Sequence, residues 1–559
     1  MKKRIVSLFL ILCMAISVLS LASCSKKKGE GDATQETAAT TDRWEILAPD
    51  VKALPSDARS IRIELDRYGS ASKHAKNNLY LAGDDGDDKV TTVEQMVRAR
   101  NNKAKDLLGL SIEYVYWDYA WGAQCAQINT AVHGDDPEAP DLFVNMLYDL
   151  NIEVLNASFK DVWSIPGSYF DFEADGWLTT WMKNLSFTGD RAYILAGDYF
   201  MDVFRVLSLL PFNSSLMDSK ASKLAPAILG QGESLGDGEK LSYRFFDLVE
   251  SGNWTWDVLG KLCEATWFDA DGNGYDSIKD TLGIIADENQ GFCAGAFVYS
   301  CGEPLIEQYT VRDGTSEYNR KQWIRYAPDS SGLNQIFDAV KAVFAGNGSF
   351  STNESPNKGT TEDKPGLAYH QIKFAKGELL FPGVMLLGVL EEDVFQRMEY
   401  SYSVVPCPKV NAEKQYNTVI YNTGDAGAIN VRTTPDKAKA ISAFLQYCTE
   451  HSTAIRETFL QTVTKYDTME YNQGTDRMLD LIYDSVLYGR DKTVEDLVEK
   501  IVGSGTAKRW HSMMKNGQFM VGSDEIKQQY ESLVSVKQAA LDDIMRTWYG
   551  LPTSGSEGN

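Results

Sequence analysis

The stretch DADGNGYDSIKD, residues 269–280, has the spacing of a calcium-binding loop. Oxygen ligands fall at its first, third and fifth positions, a glycine at the sixth, a backbone carbonyl at the seventh and a carboxylate at the twelfth; the ligand residues are Asp269, Asp271, Asn273, Tyr275 and Asp280. A helical pattern precedes the loop and the strand-like run TLGIIAD follows it, which differs from the paired helices of a calcium sensor. The pattern predicts a structural calcium site, with a glycine-containing Asx turn that binds no ion as the alternative.

Catalytic motifs give no comparable signal. The sequence contains no G-x-S-x-G, H-E-x-x-H or phosphate-binding G-x-x-x-x-G-K-[ST] motif, and its five histidines are not paired at helical spacing. The 78 Asp and Glu residues are too many for inspection to exclude a pair of glycosidase carboxylates. We therefore expect a protein without catalytic activity and keep a surface glycoside hydrolase or lyase as the alternative.

Aromatic and acidic side chains recur where predicted strands end. Aromatic faces stack on the CH faces of a sugar while carboxylates accept hydrogen bonds from its hydroxyls, so this mixture suits a carbohydrate. For each residue the alternative is a role in the core or in a tight turn. The predicted ligand-binding residues are Tyr68, Trp117, Asp118, Tyr148, Asp149, Asp198, Tyr199, Tyr421 and Asp425.

Alternating strand and helix patterns must position these residues. Residues 60–66, 111–117 and 140–145 read as strands, and residues 91–109 and 121–132 as the helices between them. Thr91 and Glu94 form a capping box at the start of the first helix, and Gly109 ends it. This β-α-β-α-β series predicts an α/β fold with a mostly parallel sheet flanked by helices, whose ligands bind beyond the carboxyl ends of the strands.

The first residues are typical of export. A basic patch precedes an apolar run that ends in Leu21-Ala22-Ser23-Cys24, which resembles the lipobox of bacterial lipoproteins. The resemblance implies a signal peptide over residues 1–23 and a diacylglycerol on Cys24; a transmembrane anchor is the alternative. Residues 24–42 are small and polar and are expected to form a flexible tether. We therefore expect a protein anchored by lipid to the outer face of the cell membrane.

Composition is that of a globular, exported body, with 43% hydrophobic and 24% charged residues. The net charge of −23 becomes −26 when Lys2, Lys3 and Arg4 leave with the signal, and so acidic a surface argues against nucleic acid as a partner. Six cysteines remain besides Cys13 and Cys24. Cys293 and Cys301 are the closest pair in sequence, and either a disulfide or buried free thiols fit them.

The order of several segments resembles bacterial extracellular solute-binding proteins of family 1, the receptors of ABC importers. The first lobe of that family is similar to the stretch from Val93 through LYDL; the later segments are FDLVESGNWTWDVL, FAKGELLFPG, YSVVPCPKVNAEKQY and TPDKAKAISAFLQYC. Within the family, maltose-binding protein carries tryptophans after its lysine-glycine-glutamate segment. This chain has Gly-Val-Met-Leu-Leu there, over residues 383–387, so the resemblance does not extend to maltodextrin specificity.

The resemblance implies a two-lobed, periplasmic-binding-protein-like fold of type II with hinge crossovers. On this reading, lobe 1 comprises residues 43–205 and 403–450, and lobe 2 comprises residues 206–402 and 451–559. The ligand, a mono- or oligosaccharide, would bind between lobes that close by a hinge motion. The implied partners are a membrane-embedded ABC permease and the membrane itself through the anchor, and we expect a monomer. A receptor that signals without transport is a further alternative.

Overall fold

The architecture comes from a computed structural model, which describes residues 42–66, 76, 78–83, 91–118, 123–134, 136–274, 279–287, 291–351, 360–361, 364–464, 472–506, 508–516 and 519–553. The chain divides into two compact units, Met1–Ile46 and Leu47–Asn559. In the described end of the first unit, the backbone N–H of Trp44 donates to Asp42 Oδ1 over 3.1 Å. The predicted signal peptide, Cys24, Tyr68 and Tyr275 lie outside the described residues.

Short strands alternate with helices along the chain. Among the described residues the strands are β1 (Ser60–Asp66), β2 (Ser111–Trp117), β3 (Leu142–Met146), β4 (Ser208–Asn213), β5 (Leu282–Ala286), β6 (Ile306–Thr310), β7 (Gln322–Tyr326), β8 (Ser349–Ser351), β9 (Thr360–Thr361), β10 (Lys364–Ala368), β11 (Leu379–Phe381), β12 (Met385–Leu386), β13 (Tyr402–Val405) and β14 (Asp425–Ile429).

The helices cover the faces of the sheets. Among the described residues they are α1 (Arg43–Lys52), α2 (Thr92–Leu108), α3 (Gln124–His133), α4 (Leu147–Leu155), α5 (Thr179–Leu185), α6 (Met201–Arg205), α7 (Ser214–Ser219), α8 (Ala221–Ile228), α9 (Leu241–Glu250), α10 (Trp256–Thr266), α11 (Gly291–Tyr299), α12 (Ser331–Phe344), α13 (Tyr369–Ala375), α14 (Asp393–Gln396), α15 (Pro435–Glu450), α16 (Thr453–Thr464), α17 (Asn472–Asp484), α18 (Arg490–Val502), α19 (Trp510–Asn516) and α20 (Ser523–Trp548). A π-helix at Asn78–Ala82 and 3₁₀ turns at Val162–Ser164 and Leu387–Glu391 add to them.

The first sheet has the strand order β14-β3-β1-β2. β1 runs parallel to β2 along its whole length and parallel to β3, whereas β14 closes the far edge antiparallel to β3. The helix expected after Thr91 is confirmed with its capping box, and Gly109 ends it in the left-handed conformation at φ 66°. The predicted α/β fold with a mostly parallel, helix-flanked sheet is therefore confirmed.

A second parallel sheet lies later in the chain, in the order β11-β5-β8. The two parallel sheets are connected by a third, β12-β4-β13, in which β4 pairs antiparallel with both neighbours. The strands of the first sheet all come from the ranges assigned to lobe 1, and those of the second from the ranges assigned to lobe 2. The lobe boundaries themselves remain a prediction.

The C-terminal helix is the longest helix among the described residues. α20 has 26 residues, a length of about 39 Å at 1.5 Å per residue. Its middle packs against β7, where Trp323 Nε1 donates to Asp542 Oδ1 over 2.9 Å. At its end, the ring of Trp548 lies 4.9 Å from the ring of Phe187 and 5.3 Å from that of Tyr193. The helix thus connects residues 187–193 with the β6–β7 hairpin.

The cysteine question left open by the sequence has a structural answer. All six cysteines of the described residues are free thiols, and Cys293 and Cys301 are completely buried. Cys301 Sγ donates to the carbonyl of Phe297 over 2.8 Å, so it behaves as a core residue just after the end of α11. Among the described helices, none combines the length and the apolar composition that crossing a bilayer requires.

Candidate functional site

The carboxyl edge of the first sheet carries several of the predicted ligand-binding residues. Trp117 ends β2 half-buried, with its ring 5.8 Å from that of Phe143, and Asp118 beside it is exposed. β3 runs directly into α4, whose first turn contains Tyr148 and Asp149. Asp149 is fully buried, and the backbone N–H of Cys125 donates to its Oδ1 over 3.2 Å.

The segment that returns to this sheet brings Tyr421 and Asp425 to the same place. Asp425 begins β14 opposite Met146, the last residue of β3. The N–H of Tyr148 donates to the carbonyl of Asn422 over 3.0 Å, which ties the start of α4 to the returning chain. Tyr148, Asp149, Tyr421 and Asp425, which come from distant parts of the sequence, therefore lie in one region at the edge of the sheet.

Beneath this region lies a buried polar network that the sequence analysis missed. Asn145 Nδ2 donates to Gln124 Oε1 over 2.9 Å and to Glu64 Oε1 over 3.2 Å, and Gln124 Nε2 donates to Asp66. Burial raises the pKa of Glu64 well above its usual value, and the neighbouring charge of Asp66 adds to the rise. The sequence did contain a signal for this network. Helices cover both faces of a parallel sheet, so the face of the strand that carries Glu64 is buried as well as the face that carries Ile63 and Leu65.

Cations from α18 cover the aromatic rings of the region. Lys492 Nζ lies 5.2 Å from the centre of the Tyr421 ring, and Lys500 Nζ lies 5.6 Å from that of Tyr148. The Phe292 ring meets Tyr421 edge-on at 5.9 Å. Burial raises the pKa of Tyr421 to about 12, so its hydroxyl keeps its proton at neutral pH and remains able to donate. The region is therefore bounded on one side by the first sheet and on the other by α11 and α18.

Asp198 and Tyr199 have other neighbours. Asp198 is fully buried, and Arg456 Nη1 lies 2.9 Å from each of its carboxylate oxygens, while the Tyr483 hydroxyl donates to it over 3.1 Å. Burial raises the pKa of Asp198 despite the opposing charge of Arg456. Tyr199 is also fully buried, with the Arg100 guanidinium 4.8 Å from its ring centre. Their predicted contact with ligand remains a prediction.

The predicted calcium loop is closed at its base by a pair of backbone hydrogen bonds. The N–H of Phe268 donates to the carbonyl of Thr281 over 3.0 Å, and the reverse bond measures 3.2 Å. α10 precedes the loop and β5 follows it, as the sequence predicted. The loop therefore joins a helix to a strand.

Three carboxylates of the loop converge. One oxygen each from Asp269, Asp271 and Asp280 lies within 4.8 Å of the other two. Calcium binds oxygen at about 2.3–2.6 Å, so two ligands of one ion are at most about 5 Å apart, and these three oxygens fit that limit. Hydrogen bonds from the backbone, foremost from Gly274, hold the pKa of Asp269 below its usual value and keep it anionic. The calcium site predicted from the sequence stays a prediction.

Comparison with known proteins gives matches only among solved structures. No protein-family model matches the chain, and no curated protein matches its sequence. The GacH receptor of Streptomyces glaucescens, solved free and with acarbose, is 12% identical over 88% of this chain and 99% of its own, with a TM-score of 0.43. A family 1 extracellular solute-binding protein from Bifidobacterium longum subsp. infantis is 13% identical over 88% and 99%, with a TM-score of 0.46.

A third similar structure is the cyclic alpha-maltosyl-1,6-maltose binding protein of Arthrobacter globiformis. It is 10% identical over 86% of this chain and 98% of its own, with a TM-score of 0.47. The three similar structures are thus a receptor, an extracellular solute-binding protein and a sugar-binding protein.

Proposed function

We propose that this chain is an extracellular, lipid-anchored solute-binding protein that captures a mono- or oligosaccharide between two closing halves and passes it to an ABC permease. The observation that carries the proposal is the convergence of Tyr148, Asp149, Tyr421 and Asp425 at the carboxyl edge of the first sheet. Ligands of parallel α/β sheets bind at that edge. The proposal contains no catalytic step.

The chemistry of the region supports a neutral, hydroxyl-rich ligand. Tyr148 and Tyr421 offer aromatic faces, and the Tyr421 hydroxyl stays protonated at neutral pH because its pKa is raised to about 12. Carboxylates can accept hydrogen bonds from two hydroxyls at once. Both tyrosine rings are covered by lysines of α18 in this structure, so a ligand that stacks on them needs α18 to move away first. Opening and closing of the two halves supplies that movement.

A thermal-shift screen tests the ligand class. The body from residue 43 onward is screened against maltose, cellobiose, xylobiose, galactobiose and mannobiose, with peptides and polyamines as the other arms. A ligand that binds the native state raises its melting temperature by mass action. We expect a disaccharide to raise it. A shift with peptides or polyamines alone would contradict the proposal, and release of reducing sugar during incubation would favour the glycoside hydrolase.

A matched pair of variants tests the site. Tyr421→Ala should weaken the affinity for the disaccharide that the screen identifies by about tenfold or more, because an aromatic platform is lost. The control is Tyr318→Ala, which removes a half-buried ring that packs on Trp323 in the β6–β7 hairpin. This variant should keep the affinity of the parent protein. Equal affinity of the parent and Tyr421→Ala would remove this tyrosine from the site.

The anchor is tested separately. We propose that Cys24 carries diacylglycerol, because small residues precede it and a polar tether follows. Cys24→Ala should release the protein from membranes into the medium, while Cys13→Ala should leave it attached. Membrane fractionation with metabolic fatty-acid labelling is the measurement, and a labelled Cys24→Ala protein would contradict the proposal.

We also propose that Asp269, Asp271, Asn273, Tyr275 and Asp280 hold a structural calcium ion. The carboxylates support it by their mutual distances, and the paired hydrogen bonds at the base of the loop preorganise it. When bound, the ion would offset two of the three negative charges on carboxylates that otherwise repel one another. It would stabilise the connection between α10 and β5, and it takes no part in ligand capture.

Calcium titration of the apo protein tests this site. Asp271→Asn should abolish calcium binding measured by calorimetry and the rise in melting temperature that calcium gives the parent. The matched control is Asp313→Asn, since Asp313 also accepts backbone hydrogen bonds within an exposed turn. If the parent shows no binding heat at millimolar calcium, the loop is an Asx turn and the proposal fails.

A further inference from the structure

A small polar pocket lies where the first sheet meets α18. It is bordered by α4, by α5, by residues 419–422 of the returning segment and by the start of α18. Its polar and aromatic lining includes Asn151, Trp181, Asn422, Tyr488, Lys492 and Asp496. The cavity measures about 10 Å³, the space of a single water molecule. Tyr488 is half exposed, so the pocket lies close to the surface.

The orientation of the Asn422 amide in this pocket is fixed by chemistry. Asp496 can only accept hydrogen bonds, so the atom of Asn422 that lies 2.8 Å from Asp496 Oδ2 must be the nitrogen. Lys492 Nζ donates to the same oxygen over 2.6 Å, and Arg509 Nη1 donates to Oδ1 over 2.9 Å. Because both oxygens of Asp496 accept hydrogen bonds, from Lys492 and from Arg509, the carbonyl oxygen of Asn422 faces away from it.

That carbonyl oxygen has no hydrogen-bond donor among the described residues, although Asn422 is only 5% exposed. A buried acceptor without a donor is costly, and such groups in native proteins are satisfied by water or by a ligand. The occupant must therefore donate a hydrogen bond and be about the size of one oxygen atom. A hydroxyl group and a water molecule meet both requirements.

We propose that this pocket receives one hydroxyl of the bound sugar, which donates to Asn422 Oδ1, and that a water molecule takes the same position when no sugar is bound. The inference rests on the proposed function, because the sugar must lie between the first sheet and α18. The lining of the pocket comes from the returning segment on one side and from the start of α18 on the other. Asn422 thus selects for a sugar with a hydroxyl at one ring position.

The experiment combines a variant with deoxy sugars. The affinity of the tightest-binding disaccharide of the panel is measured by calorimetry for the parent and for Asn422→Ala, and again for each monodeoxy derivative of that disaccharide. We expect Asn422→Ala to lower the affinity for the intact disaccharide by about tenfold, as the loss of one hydrogen bond to a buried acceptor would do. One monodeoxy derivative should bind the parent protein about tenfold more weakly than the intact disaccharide does. The same derivative and the intact disaccharide should bind Asn422→Ala with equal affinity, because the hydrogen bond is already lost.

Two controls keep the outcomes separate. Asn417→Ala removes another buried amide of the returning segment, whose partners are the carbonyl of Tyr299 and the N–H of Tyr488; it should lower stability and leave the affinity of the folded protein unchanged. Asn422→Ser is the second variant if Asn422→Ala fails to fold. If, for every deoxy derivative, the loss of affinity caused by the missing hydroxyl simply adds to the loss caused by Asn422→Ala, then only water occupies the pocket and the inference is overturned. If no sugar binds the parent, the proposed function fails instead.

Discussion

Asp198 and Arg456 form a buried ion pair between α16 and the chain segment that precedes α6, and removing one charge of this pair should destabilise the fold. Asp198 is fully buried, whereas the side chain of Arg456 is 16% exposed. Breaking a buried pair on one side costs about 3–5 kcal/mol, because the remaining charge is left without a partner. Since water still reaches part of the guanidinium, we expect Asp198→Asn to lower the free energy of unfolding by about 3 kcal/mol.

A double-mutant cycle measured by urea denaturation tests the size and origin of this effect. Burial raises the pKa of Asp198 despite Arg456, so the intact pair gains little over two neutral groups of the same size. Asp198→Asn combined with Arg456→Met should therefore recover at least about 1 kcal/mol relative to the sum of the single variants. Strictly additive effects would refute the ion-pair argument.

The same variant separates a structural role from contact with ligand. If Asp198 acts through Arg456 alone, folded Asp198→Asn binds the disaccharide of the panel as tightly as the parent does. A loss of affinity of tenfold or more in the folded variant would instead support the ligand contact that the sequence predicted.

Three further measurements follow from the structure. Burial raises the pKa of Asp491 from 3.8 to about 7, so its contribution to stability is complete below about pH 4 and is lost as the pH rises towards 7. The free energy of unfolding measured by urea denaturation should therefore fall by up to about 4 kcal/mol between pH 4 and pH 8 because of this group, and Asp491→Asn should remove that fall. Trp548→Ala should cost about 2–3 kcal/mol in the same assay, because its packing against Phe187 and Tyr193 is lost, and an unchanged denaturation midpoint would contradict this. The body from residue 43 onward should react with six equivalents of a thiol reagent in denaturant without reductant, and a count of four would reveal a disulfide.

Local features were the part that the sequence could predict. The capping box at Thr91 and Glu94, the stop at Gly109 and the converging carboxylates of the loop from Asp269 to Asp280 all depend on residues within one short stretch. Their geometry follows from backbone conformation, which nearby residues determine. The strand ends were predictable for the same reason, although β3 starts two residues later than expected.

Contacts between distant segments were not predictable in this way. Nothing near Asn422 in the sequence indicates that its amide meets Asp496, 74 residues later. The lysines that cover Tyr148 and Tyr421 come from α18, and both lie more than 70 residues after Tyr421 in the sequence. Burial of Asp198 and Tyr199 depends on α16 and α15 in the same way, so neither could be assigned to the core from its own neighbourhood.

The antiparallel strand β14 has a consequence for how the protein is made. It covers the outer edge of β3, a fully buried strand of sequence LFVNM, yet it is synthesised long after that strand. Until residues 425–429 emerge and return, β3 presents an open, apolar edge of the kind that recruits other chains into aggregates. The chain therefore benefits from remaining unfolded, or bound by a chaperone, until it is nearly complete, and fragments that end before Asp425 should precipitate rather than fold.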